Sequence, residues 1–322
     1  KLYRRLEDGT SPELEIGRYL TERQPQTNAP RVAGAIEYTR GVNTEPITLG
    51  VLHTYVRNEG DAWKYTLDAL DRYFDSAQTT LSQAAPAPLS KSLLQISQEE
   101  MPDAAVEAIG PYLESARLLG QRTAELHLAL ASAVEHENFA PEEFSVIYQR
   151  SLYHGNRAYA VQVLNSLRAN LQSLPTSAQT DAEAVLAQRD LILGRFQSVT
   201  RRKMTAMRIR CHGDYHLGQV LHTGSDFVII DFEGEQTRSL GERRLKHSPL
   251  KDVAGMIRSF GYASHVALHG ESSAVFRSED IPLLKDWSDT WFLWVAGTYL
   301  RAYLDLISDT PILPGKTEDI SV

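Results

Sequence analysis

The run His212-Gly213-Asp214-Tyr215-His216-Leu217-Gly218-Gln219, followed at a short distance by Asp231-Phe232-Glu233, sets carboxylates and a carboxamide close together in the chain. Phosphoryl transfer asks for such a set. Its transition state spreads charge over equatorial oxygens, so the protein mainly positions the reactants and offsets that charge, commonly with Mg²⁺. One carboxylate must stand beside the acceptor hydroxyl and take its proton, while a second carboxylate and a side-chain carbonyl share a hard cation with nucleotide phosphates. Asp214 has the place of the base, and Gln219 and Asp231 have the places of the cation ligands. Glu233 reads either as a further carboxylate beside the metal or as an ion-pair partner. Taken singly, Asp214 and Asp231 would also suit turn caps, but their joint spacing with His212, Gly213, His216 and Gln219 favours a site. His212 and His216 look like metal ligands in isolation, yet Mg²⁺ takes oxygen donors. His212 is therefore expected to orient the loop by hydrogen bonding, and His216 to lie near the acceptor.

These residues need elements to hold them. Gln219-Val220-Leu221-His222 reads as a strand, Thr223-Gly224-Ser225-Asp226 as a turn and Phe227-Val228-Ile229-Ile230 as a second strand, a hairpin that carries Asp231 back toward Gln219. Ser11-Pro12 is a helix opening, with Ser as N-cap and Pro in the first turn. Residues 32–38 and 47–56 read as two strands joined by a polar turn, with a glycine-containing exit into a helix. Beyond Asp61 the helical period dominates, through Leu67, Leu70, Tyr73 and Phe74, then Ala124, Leu126, Leu128 and Leu130, Ile147 and Leu152, and Val161, Val163, Leu167 and Leu171. Trp291, Trp294, Tyr299 and Tyr303 lie on an apolar helix whose expected role is core packing. Residues 82–90 read as a linker, and a further interruption falls at Leu174-Pro175-Thr176-Ser177.

With 322 residues, 42% hydrophobic and 23% charged, the composition is that of an ordinary globular chain long enough for two lobes. A formal charge of -8 without a concentrated basic stripe argues against gripping nucleic acid. One cysteine, Cys211, rules out an internal disulfide framework and is expected to be packed rather than reactive. No run spans a bilayer and no signal-peptide pattern is visible, so no membrane partner is expected and the cytoplasm is the expected compartment.

The segments His212-Gly213-Asp214-x-His216-x-x-Gln219 and Asp231-Phe232-Glu233 resemble those of the aminoglycoside-phosphotransferase-like kinases, a branch of the protein-kinase-like fold. Gln219 stands where that superfamily usually has Asn, and keeps the same carbonyl on a longer stem. Together with Glu242-Arg243-Arg244 and residues 248–260, 1–7, 12–20, 32–38, 47–63 and 121–131, the pattern is similar to bacterial maltokinases, including the kinase portion of trehalose synthase–maltokinase fusions. That resemblance implies an α+β bilobal fold. A small mixed N-lobe, truncated here, and its hinge would occupy 1–60, and a large, mostly helical C-lobe carrying the catalytic and metal-binding loops would occupy 61–322. It further implies ATP and Mg²⁺, phosphorylation of maltose to maltose 1-phosphate in trehalose and α-glucan metabolism, and a fused or associated trehalose synthase domain.

The same resemblance gives residue roles. Lys1 would meet the nucleotide phosphates with Glu15 as its ion-pair partner. Glu13 rivals Glu15 on that helix, roughly 160–200° around it, so only one can face Lys1. His53, Tyr55 and Val56 would border the adenine. His216, Lys251, Asp252, Arg258 and Tyr262 would border the disaccharide, although helix capping and packing suit the last four equally. Two departures stand beside these roles. The glycine-rich loop that precedes the lysine strand in such kinases is absent before Lys1, and the chain stops at Val322 before a further expected helix, so a domain of a longer polypeptide is expected. A kinase for an amino sugar or choline-like alcohol, and a non-catalytic module of a trehalose synthase, are the alternative readings.

Overall fold

The computed structural model describes residues 1–41, 44–79, 91–133, 135–270, 276 and 281–314; the expected linker at 82–90 lies outside them. The chain divides into two compact units, one of Lys1–Pro141 with Arg208–Ile312, the other of Glu142–Met207 with the end of the chain from Leu313.

The first unit begins with an extended segment and helix α1 (Pro12–Arg23), whose N-terminus is capped by the Ser11 hydroxyl accepting from Leu14 N at 3.2 Å. Strands β1 (Val32–Tyr38) and β2 (Ile47–His53) pair antiparallel, and Lys1 runs along the other edge of β2 by exchanging hydrogen bonds with Val51, each 2.9 Å. Helices α2 (Ala62–Thr79), α3 (Leu93–Ile96), α4 (Asp103–Ile109) and α5 (Tyr112–Ala131) follow. Two-residue strands, β3 (Glu142–Glu143) and β4 (Met207–Arg208), mark where the chain enters and leaves the second unit, which holds α6 (Val146–Asn170), α7 (Thr176–Ala187) and α8 (Arg189–Arg195). The chain then forms the hairpin β5 (Val220–His222) and β6 (Phe227–Ile229), α9 (Leu240–Arg243), and the long helices α10 (Leu250–His269) and α11 (Ile281–Ile307).

The core of the first unit lies where α11 packs against α5, α10 and α2. Trp291, Tyr299 and Tyr303 of α11 are fully buried there, as the apolar pattern of that helix requires. Burial of each such side chain contributes about 1.5–3 kcal/mol. Helices α5 and α11 approach so closely that a Cβ at Gly120 would collide with the Tyr299 backbone oxygen.

In the second unit the expected apolar face of α6 is only partly covered. Gln149 and Leu164 are its buried residues, while Ile147 and Val163 remain exposed. A segment of this size offers too little interior to enclose a helix of 25 residues. No described helix is long and apolar enough to cross a membrane.

Candidate active site

The hairpin expected from the sequence forms, with Val220 opposite Ile229 and His222 opposite Phe227. At its open end Ile230 N donates to Gln219 O at 3.0 Å, which fixes the start of the Asp231 segment beside Gln219. Asp231 has φ 67°, in the left-handed region that non-glycine residues seldom occupy. Gly213 and Gly234 also have positive φ, and a Cβ at Gly213 would lie 3.3 Å from Gly234 Cα, so the Asp214 loop and the Asp231 loop meet backbone to backbone.

His212 joins the two loops. Its Nε2 donates to Ile230 O at 2.8 Å, which leaves Nδ1 to accept from Asp214 N at 3.4 Å. The loop rests on Asp252 of α10. This buried carboxylate accepts from His212 N at 2.7 Å and Gly213 N at 3.0 Å, and His127 Nε2 of α5 lies 3.2 Å from it. Burial alone would raise the Asp252 pKa, but the His127 hydrogen bond and charge, with the loop amides, outweigh it and hold the carboxyl below its ordinary value. His127 is held in turn by Tyr303 OH, 3.0 Å from Nδ1. Asp252, expected among the sugar contacts, is thus a buried support of the Asp214 loop, and Asp214 itself is exposed.

Lys1 Nζ lies 2.5 Å from Asp231 Oδ1 and 2.5 Å from Glu233 Oε1. Burial would lower the lysine pKa, but the charge of Glu13 and the hydrogen bonds to Asp231 and Glu233 prevail and raise it above the usual lysine range. The expected Lys1–Glu15 pair does not form. Glu15 accepts from Arg210 at 2.7 Å, Arg244 at 3.2 Å and Asn138 at 2.9 Å, and Arg210 is itself almost fully buried. The rotation that turns Glu15 toward those arginines turns Glu13 to the Lys1 side. Glu13 is 3% exposed, its Oε2 has no hydrogen-bond partner, and His53 Nε2 stands 2.8 Å from Oε1 without the alignment of a hydrogen bond. Of the other residues expected near adenine, Tyr55 is 87% exposed and the Val56 carbonyl accepts from Asn58 at 2.9 Å.

His216, Arg258 and Tyr262 come together with Trp63, Gly218 and Ser259 around a cavity of about 290 Å³. The Trp63 and Tyr262 rings stack with centroids 5.5 Å apart. Neither Lys251 nor Asp252 lines it; Lys251 is exposed at the start of α10. Ser259 anchors the loop wall by accepting from Leu217 N at 3.2 Å. Cys211 is buried, its thiol pKa pushed up by burial and by the charge of Asp252.

Gln219, Asp231 and Glu233 supply hard oxygen donors, the class a divalent cation such as Mg²⁺ takes. Among the described residues no group of three or more His, Cys, Asp and Glu is arranged to hold a metal; a carboxamide and two carboxylates remain a suitable donor set, from which a cation would have to displace the Lys1 ammonium. Glu13, the rival of Glu15, is the acid of α1 on the Lys1 side, whereas the contributions of Trp63 and His127 were not legible in the sequence. Both depend on long-range neighbours, Tyr262 and Asp252.

No family model matches the chain. The glucosamine kinase of Streptacidiphilus jiangxiensis is 22% identical over 255 residues, covering 79% of this chain and 46% of that protein. That of Mycolicibacterium smegmatis is 44% identical over 57 residues, 17% of this chain and 14% of its own length. The chain therefore spans less than half the length of these curated relatives. A solved structure of a glucosamine kinase in complex with glucosamine, ADP and inorganic phosphate aligns with a TM-score of 0.65 at 20% identity, over 97% of this chain and 64% of that one. The chain shares the mixed, helix-rich fold of that kinase.

Proposed function

We propose that this chain is the greater part of the catalytic machinery of an ATP-dependent sugar kinase, with an amino sugar of the glucosamine type as acceptor. The observation that carries the reading is the meeting of Lys1, Asp231 and Glu233 beside the loop of Asp214 and Gln219, residues far apart in sequence drawn to one place. The glucosamine kinase relatives, one of them solved with ADP and glucosamine, favour the nucleotide and the amino sugar. Residues 1–60 then form the nucleotide side, a protein-kinase-like small lobe and hinge, and the helices of the first unit form the acceptor side.

In this reading Asp214 accepts the proton of the sugar hydroxyl as its oxygen forms a bond to the γ-phosphorus of ATP, and the bond to the ADP oxygen breaks. The exposure of Asp214 leaves it open to a substrate, while Asp252 and His212 keep its loop rigid from behind. Lys1 offsets the charge of the nucleotide phosphates once it leaves the carboxylates, with Glu13 as the buried anion facing it. Gln219, Asp231 and Glu233 would hold Mg²⁺, which when bound neutralises phosphate charge.

A second acceptor, maltose, is favoured by one specific feature. The cavity beside the Asp214 loop offers a stacked Trp63–Tyr262 pair and Arg258, and among the described residues no carboxylate lines it to meet an ammonium group. The deciding experiment measures ADP release by the full-length polypeptide with glucosamine, glucose, maltose and choline, beside an Asp214→Ala variant. Turnover with glucosamine that is abolished by the variant is expected. Turnover with maltose alone would move the acceptor, and equal activity of wild type and variant would remove Asp214 as the base. A Tyr262→Ala variant should raise KM for the preferred sugar with little change in kcat.

A further inference from the structure

One carboxylate at the tip of the β5–β6 hairpin gathers side-chain contacts from the rest of the first unit, beside the backbone hydrogen bonds that join His222 to Glu59 and Gly60. Asp226 Oδ1 accepts from Arg122 Nε at 2.8 Å and from Phe227 N at 2.7 Å, and Oδ2 accepts from Arg122 Nη2 at 2.7 Å and from Asn28 Nδ2 at 2.9 Å. Both oxygens are therefore engaged, with Arg122 gripping in the bidentate manner that fixes orientation as well as distance. Arg122 stands on α5, whose Ala124, Leu126 and Leu130 are fully buried, and a second acid, Glu125, accepts from its Nη1 at 2.7 Å. Asn28, just after α1, also accepts from Ile229 N at 2.9 Å through its backbone oxygen. Burial would raise the Asp226 pKa, but the hydrogen bonds from Arg122, Phe227 and Asn28 outweigh it and keep the carboxyl ionised.

The opposite end of this hairpin carries Gln219 and Asp231. Its strands pair over three residues each, so tip and base are only about 10 Å apart, and a hairpin this short has little stiffness of its own. The placement of its base therefore depends on the contacts that hold the hairpin from outside, those of Asp226 among them. Ligand distances in a well-formed metal site lie within about 0.2 Å of their standard values, so the placement of the ligands bears on affinity.

We propose that Asp226 is a positioning residue, whose clamp on Arg122 and Asn28 sets the placement of Gln219 and Asp231 and with it the affinity of the site for a divalent cation. The inference rests on the kinase reading of that site. Asp226 touches neither substrate nor metal; it acts through the hairpin.

The test titrates Mn²⁺ calorimetrically into the full-length polypeptide with ADP present. Asp226→Asn, Asp226→Ala, Asn28→Ala and Arg122→Lys are compared with wild type and with Arg117→Ala, a variant of an exposed pair with Glu114 on α5. Asp226→Asn is expected to weaken Mn²⁺ binding about tenfold and to raise KM for metal–nucleotide, leaving KM for the sugar and ADP binding without metal unchanged. Arg117→Ala should match wild type. If Asp226→Ala fails to fold, Asp226→Asn and Arg122→Lys decide. Variants that lower Tm yet bind Mn²⁺ as tightly as wild type would reduce Asp226 to a structural residue and overturn the proposal, while wild-type turnover kept the kinase reading intact. Wild type that neither binds Mn²⁺ with ADP nor phosphorylates any sugar would overturn both.

Discussion

The Lys1 ammonium lies 2.5 Å from the Asp231 carboxylate, across 230 positions of sequence. Glu233 Oε1 lies at the same distance from it, so one ammonium is shared by the two acids proposed above as cation ligands. In the proposed reading a divalent cation would compete with Lys1 for these oxygens, and Glu13, whose Oε2 has no hydrogen-bond partner, is the buried acid that would attract the lysine on leaving them.

Replacing Lys1 therefore has two opposed effects. Lys1→Met should lower turnover about 100-fold through loss of charge on the phosphates, while divalent-cation binding without nucleotide tightens because its internal competitor is gone. The pair is about one-third exposed, so the stability cost should stay within about 1 kcal/mol. Parallel cation titrations of wild type and variant check this; weaker cation binding by Lys1→Met would contradict the competition.

The two acids of α1 should part company. Glu15→Ala leaves Arg210 buried without its carboxylate partner, which costs about 3–5 kcal/mol, read as a lower urea midpoint. Glu13→Gln removes a buried charge with no hydrogen-bond partner on Oε2, so stability should hold or rise while nucleotide affinity falls. The reverse assignment, with Glu15→Ala folded normally and selectively defective in nucleotide binding, would restore the pairing expected from the sequence.

The Glu13 and Glu15 outcome illustrates what was legible. The β5–β6 hairpin could be read directly because two short apolar runs around a Thr-Gly-Ser-Asp turn are local signals, and α1 because Ser11 and Pro12 mark its start. Which face of α1 meets Lys1 is not local; it follows from Arg210 and Arg244, almost 200 residues or more further on, claiming Glu15. Asp252 misled for a similar reason. A polar residue on a helix near the site reads equally as a ligand contact or as a support, and only burial against His127 and the 212–213 amides separates the two. The apolar residues of α6 fit helix formation, but their period could not tell how little would cover them.

Asp252 makes its own prediction. Asp252→Asn keeps the size of the side chain but replaces one acceptor oxygen by a donor facing backbone N–H groups or His127. Stability should fall by about 2–4 kcal/mol, and kcat should fall with KM for sugar nearly unchanged, since Asp214 is displaced and the sugar cavity is not. A variant with wild-type kcat would show that the Asp214 loop is held by other contacts.

The pH dependence of stability should carry the signature of His247. Burial first, then the charges of Lys251 and Arg238, push its pKa down to about 4, against the opposing pull of Asp252. In the unfolded chain a histidine titrates near 6.5. Between these values the unfolded chain binds more protons than the folded one, so stability rises with pH across that window and is lost as pH falls through it, by about 3 kcal/mol in all. Asp252 acts in the next window down. Its folded pKa is lowered, so its contribution is complete above the ordinary carboxylate value, about 3.9, and disappears only below it. Urea midpoints of wild type and His247→Gln at pH 7, 5.5, 4.5 and 3 separate the two groups. The variant should flatten the decline from pH 6.5 to 4 and leave the steeper acid loss in place; curves that run parallel would mean that His247 is not the group being titrated.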